Sequence, residues 1–124
     1  MANQPLKGMP RLQAAYRNSM RGFKDIWQGE EAFRIECVVF LLSVPCAFWI
    51  GGSVFQAALL IGAVLVLLIV EILNSAIEAT IDRIGPERHE LSRMAKDLGS
   101  LAVLLASGLV LLIWAAALAE RVFA

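Results

Sequence analysis

From Cys37 to Val70 the chain runs for 34 residues without a charge. That is too long for one untilted crossing, since about 20 residues span the hydrocarbon core of a bilayer. Gly51-Gly52-Ser53 divides the run into stretches of 14 and 17 residues. A tight turn there predicts a helical hairpin, with a first arm over 32–50 and a second over 54–82. Pro45 falls inside the first arm, where a membrane helix tolerates it. Gly85-Pro86 predicts the end of the second arm and opens a charged loop over 85–97. A third uncharged run, Leu98 to Ala119, is 22 residues long and predicts a third span over 98–119. Its small residues Gly99, Ser100, Ala102, Ala106, Ser107 and Gly108 suit close helix packing. Ahead of the hairpin, residues 11–28 follow a helical period. Leu12, Tyr16, Ser19, Phe23, Ile26 and Trp27 share one face, while Arg17, Arg21 and Lys24 share the opposite one. This is the pattern of a basic amphipathic helix lying on a membrane surface, preceded by a loose arm over 1–10. The expected architecture is an all-α membrane protein over 1–124, one domain with an N-terminal amphipathic surface helix and three transmembrane helices.

Composition agrees: 59% hydrophobic residues is too many for a soluble core in 124 residues. The net charge of zero argues against a nucleic-acid partner. Five Lys or Arg precede Ala32, four lie in 83–96, none in the 51–53 turn, and Arg121 stands near the C-terminus. By the positive-inside rule the N-terminus and the 83–97 loop are expected to be cytoplasmic, and three spans then place the C-terminus outside; in a bacterium that means the inner membrane, with a periplasmic C-terminus. The polar first thirty residues hold no apolar core of a cleavable signal peptide. Cys37 and Cys46 lie nine residues apart on one helix, about 13 Å in rise and too far to bridge. Trp27, Trp49 and Trp114 are expected as interfacial anchors.

The chemistry concentrates at 71–82, E-I-L-N-S-A-I-E-A-T-I-D. At about 100° per residue Glu71, Asn74, Ser75, Glu78 and Asp82 form one stripe on an otherwise apolar helix. Polar groups at such a depth are expensive and point to function. Folding the hairpin about Gly52 puts residues whose numbers sum to about 104, give or take a turn, at equal depth. Glu36 then lies level with Leu68, Glu31 with Leu73 and Glu30 with Asn74, while Lys96 and Asp97 reach the same plane from the third span. Oxygen ligands without a thiolate or histidine cluster favour a hard cation such as Mg²⁺, held by one or two carboxylates and phosphate oxygens. No Walker loop and no G-x-G-x-x-G is present, so Lys, Arg and Mg²⁺ must neutralise any bound phosphates.

E-I-L-N-S-A-I-E at 71–78, A-T-I-D-R-I at 79–84, H-E-L-S-R-M-A-K-D-L-G-S at 89–100 and E-A-F-R-I-E at 31–36 resemble the bacterial integral-membrane diacylglycerol kinases. The resemblance covers nearly the whole chain. It implies a homotrimer of three-span subunits, with shared active sites that transfer the γ-phosphate of MgATP to a lipid alcohol. It implies Glu71 as the general base and Glu30 and Glu78 as holders of the metal ions. It implies ATP contacts from Arg11, Asn18, Glu30, Glu78, Glu87, Arg88, His89, Lys96 and Asp97. It implies lipid contacts from Arg11, Lys24, Trp27, Ala32, Glu36, Trp49, Glu71 and Ser100, with Asn74 supporting the carboxylates. The family often has Tyr where this chain has Asn18, and Trp where it has Met20.

Diacylglycerol is the expected substrate, favoured over undecaprenol by the compact loop and third helix. A proton-coupled exporter is the rival from another class. It would want a carboxylate near the bilayer midplane, whereas Glu71 ends its span. On its own, Asp82 has no expected task beyond capping or solvating the second arm.

Overall fold

The computed structural model describes residues 4–124; residues 1–3 of the expected N-terminal arm lie outside the described residues. It contains four α-helices: α1 (Met9–Gly29), α2 (Glu31–Ile50), α3 (Val54–Ile84) and α4 (Glu90–Phe123). The chain divides after Glu31 into a unit containing α1 and a second unit of residues Ala32–Ala124.

In the first unit, α1 starts after Gly8, whose φ of 65° suits a residue without a Cβ, and Pro10 occupies the first turn. It ends where Glu30 turns extended, with the Glu30 N–H still donating to the Ile26 carbonyl at 2.9 Å. The rings of Phe23 and Trp27, one turn apart, stack at 5.9 Å. Leu12, Tyr16, Met20, Phe23 and Trp27 are all exposed.

In the second unit, α2, α3 and α4 are each long and apolar enough to cross a membrane. α2 runs unbroken through Pro45. The turn to α3 is tight for a physical reason: a Cβ on Gly51 would come within 2.7 Å of the Ala47 carbonyl and 3.0 Å of the Ala57 nitrogen. Ser53 caps α3 by accepting from the Gln56 N–H at 3.1 Å, and the Gln56 side chain accepts from the Gly52 N–H at 2.8 Å. The exchange is a capping box that reaches one residue further back than usual.

α3 packs most closely on α4. Ala57, Leu60, Ala63, Val64, Leu68 and Glu71 form its buried stripe, with Gly99 and Ala106 as the buried positions of α4. The expected small-residue face is thus narrower within one chain: Ser100, Ala102 and Gly108 are exposed. Near the 51–53 turn Ala47, Ala57 and Leu60 form a core flanked by Ile50, Ile61, Ile113, Trp114 and Ala117, so all three helices meet there.

Trp114 departs from its expected role as an interfacial anchor. It is half-buried, and its indole N–H donates to the Leu60 carbonyl at 3.1 Å, pinning α4 to α3. Trp114→Phe keeps an aromatic ring but loses the donor. It should cost about 1 kcal/mol of stability, read as a lower thermal midpoint in detergent micelles.

The loop between α3 and α4 is also shorter than expected. It spans 85–89 rather than 85–97, because α4 starts at Glu90. Charge density made 90–97 resemble a solvated loop, but its charges sit at helical spacing. Arg93 bonds back to Glu90 and forward to Asp97, and the His89 imidazole caps the helix by accepting from the Leu91 N–H at 3.1 Å. At the end of α3, Gly85 adopts a φ of 154°, which turns the chain out of the helix.

Candidate functional site

The polar stripe of α3 faces different partners at different heights. Glu71 is only 8% exposed despite its charge. Its carboxyl group lies within electrostatic reach of that of Glu36 on α2. The hairpin arithmetic puts Glu36 level with Leu68, give or take a turn, and Glu71 lies within that turn. One carboxylate oxygen of Glu36 is buried without a hydrogen-bond partner.

Asn74 comes next along α3. Its side-chain oxygen is also buried without a hydrogen-bond partner and lies directly against Gly99 on α4. A buried acceptor left unbonded costs about 1–3 kcal/mol, so two of them in one carboxylate layer fit a site built to receive a donor or a cation. Gly99 allows this approach, because a Cβ there would run into the Asn74 oxygen and the amide would have to shift.

Beyond Asn74 the stripe reaches water. The Lys96 ammonium donates to Asp82 at 2.8 Å and is also attracted by Glu78. Lys96, Asp82, Glu87, Arg88, His89 and Arg93 line a cavity of about 580 Å³ between the ends of α3 and α4 and their loop. That volume is in the range of small-molecule sites. The second unit therefore joins two parts at the same end of the helices: the buried Glu71 with the half-buried Glu36, and a cavity lined by Arg88, Arg93 and Lys96 together with Asp82, Glu87 and Glu90.

The other expected residues are distributed over both units. Trp49 stands at the opposite end of α2, about 20 Å in rise from Glu36, with the Arg121 guanidinium over its ring at 5.7 Å. Ala32 is exposed near the start of α2, and Ser100 is exposed on α4 beside Gly99. Arg11, Asn18, Lys24, Trp27 and Glu30 belong to the first unit, where the first four are exposed and Glu30 is half-buried. Among the described residues no group of three His, Cys, Asp or Glu side chains converges to hold a metal ion.

Arg93 went unnoticed in the sequence. It lines the cavity and bonds Asp97 at 2.5 Å and, through Nε, Glu90 at 3.0 Å. The signal was available: an arginine with carboxylates three residues before and four after is a helical ion-pair ladder.

Comparison with known proteins bears on the whole chain. The family model described as prokaryotic diacylglycerol kinase matches residues 17–118. The chain is 47% identical to the diacylglycerol kinase of Escherichia coli (strain K12) over 114 residues, covering 92% of this chain and 93% of that one. It is 42% identical to the Pseudomonas aeruginosa diacylglycerol kinase over 118 residues, with 93% and 96% covered. For the Haemophilus influenzae diacylglycerol kinase the identity is 40% over 107 residues, with 86% and 91% covered. This membrane protein belongs to the prokaryotic diacylglycerol kinase family.

Proposed function

We propose that this chain transfers the γ-phosphoryl group of ATP to the free hydroxyl of diacylglycerol, giving phosphatidic acid. The observation that carries the reading is Glu71, a buried carboxylate placed at the same end of the helices as a cavity lined by charges of both signs, Lys96, Arg88 and Arg93 among them. In the proposed reaction the lipid hydroxyl oxygen attacks the γ-phosphorus. The bond from that phosphorus to the bridging oxygen of ADP breaks, and Glu71 takes the hydroxyl proton. Lys96 and Arg88 offset phosphate charge, and Asp97, held by Arg93, contacts the nucleotide along with Glu87 and His89. Such positioning and neutralisation supply most of what phosphoryl transfer requires.

Mg²⁺ bound with ATP would supply further neutralisation of the phosphate charge. The all-oxygen donors of the α3 stripe fit it, since Mg²⁺ is held by one or two carboxylates plus phosphates rather than by a protein cage. Glu78 and, by the family resemblance, Glu30 would hold it. The same reading takes α1 as a surface helix, its Leu12, Tyr16, Phe23 and Trp27 turned to lipid. It takes the loop end of the helices as cytoplasmic in an inner membrane, the C-terminus as periplasmic, and the assembly as a homotrimer with shared active sites. Arg11, Lys24, Trp27, Ala32, Glu36, Trp49 and Ser100 would contact the lipid, and Arg11 and Asn18 the nucleotide.

The test is γ-labelled ATP supplied to purified protein with diacylglycerol and undecaprenol in parallel. Label is expected in a chloroform-soluble product with diacylglycerol. Transfer only to undecaprenol would overturn the substrate, and no transfer to either, with proton-driven uptake instead, would overturn the kinase.

Asn74 gives a further handle. Gly99→Ala should push its amide aside and lower kcat by about 10- to 100-fold, since small misplacements near reacting groups are amplified. The thermal midpoint should fall far less than turnover, and a parallel collapse of both would mark Gly99 as purely structural.

A further inference from the structure

Asp82 has no part in the reaction above, yet it holds a cation that the reaction assigns to the phosphates. Lys96 Nζ reaches from α4 across to α3 and donates to Asp82 at 2.8 Å, although Glu78 one turn earlier also attracts it. The contact joins two helices, unlike the Glu90–Arg93–Asp97 ladder, which stays within α4. Both partners line the cavity beneath the 85–89 loop. Both are substantially exposed, 43% for the Lys96 side chain and 69% for Asp82. An exposed pair of this kind is held weakly and is readily exchanged. A triphosphate offers the same ammonium more charge and more oxygens than one carboxylate does.

We propose that Asp82 is the resting counter-ion of Lys96, a positioning residue that parks the ammonium against α3 and yields it to the nucleotide phosphates. The inference rests on the reading of Lys96 as a phosphate ligand. ATP affinity is then set by the exchange of one ion pair for another. Asp82 contributes in two ways: it keeps Lys96 extended along the cavity wall, away from the Glu36–Glu71 layer, and it competes with the incoming phosphates. A purely structural staple between α3 and α4 would behave in the opposite way, because removing it would loosen the cavity and weaken binding.

The experiment is calorimetric titration of the full chain in nanodiscs with Mg²⁺ and a non-hydrolysable ATP analogue. Asp82→Asn should tighten binding by about threefold or more, the scale of one exposed ion pair. Asp82→Glu, which restores the charge, should return the affinity to that of the parent. Lys96→Met should weaken binding by about tenfold or more, the scale of a charge-assisted contact. In the Lys96→Met background, adding Asp82→Asn should change binding by less than about twofold, because the competition has no lysine to act on. If Lys96→Met weakens binding while Asp82→Asn weakens it or leaves it unchanged, Asp82 is a staple and this inference alone falls. If Lys96→Met binds like the parent, the phosphate role of Lys96 falls and the exchange falls with it.

Discussion

Glu71→Gln is expected to lower lipid phosphorylation by about a thousandfold, within the range for loss of a general base, while leaving the Kd for the MgATP analogue within about twofold. The amide matches the carboxylate in shape but has no basic oxygen to take the hydroxyl proton. The substitution also removes one of two carboxylates that interact across α2 and α3. The thermal midpoint should stay close to that of the parent, because the amide fills the same volume as the carboxylate. That combination separates a lost base from a damaged fold. A variant that keeps more than about a tenth of parent turnover would remove Glu71 from the chemistry.

The second large effect is expected at Glu78. It lies seven residues beyond Glu71, about 10 Å in rise along α3, on the side where Lys96 approaches. Glu78→Gln should raise the KM for ATP by about tenfold or more and raise the Mg²⁺ concentration needed for half-maximal rate, as loss of a metal-holding carboxylate would. Titrating Mg²⁺ at fixed ATP reads this directly. Equal loss of nucleotide binding in Glu71→Gln and Glu78→Gln would mean that the two carboxylates do not divide proton transfer from nucleotide binding.

Much of this arrangement was legible in the sequence because it rests on period and length. The 34-residue uncharged run could only be a hairpin, and Gly51 was legible as its turn. The α3 stripe followed from helical spacing alone. What was not legible depended on neighbours in space. Arg93 and the early start of α4 were hidden because hydropathy reads a charged segment as loop, although i, i+3 and i, i+4 pairs carry a helix as well as apolar residues do. The close approach that Gly99 allows is that of the Asn74 amide, which lies 25 positions away in the chain. Trp114 looked like an anchor for the membrane surface because its acceptor, the Leu60 carbonyl, belongs to a backbone whose proximity no side-chain pattern announces.

The unbroken course of α3 from the tight 51–53 turn has a consequence for the medium around the protein. Measured from Val54, Glu71 stands about 26 Å along the helix and Asp82 about 42 Å, against a hydrocarbon core of about 30 Å. Under the proposed function α3 is therefore a ruler, with the proposed base Glu71 within one hydrocarbon thickness of the 51–53 turn and the end of the helix beyond it. The lipid hydroxyl has no such ruler, for its height follows the thickness of the surrounding bilayer, which differs by several ångströms between membranes. Under that reading, thickness mismatch would shift the hydroxyl against Glu71 without moving the nucleotide, so acyl-chain length in the host membrane is expected to act on turnover and to leave ATP affinity alone.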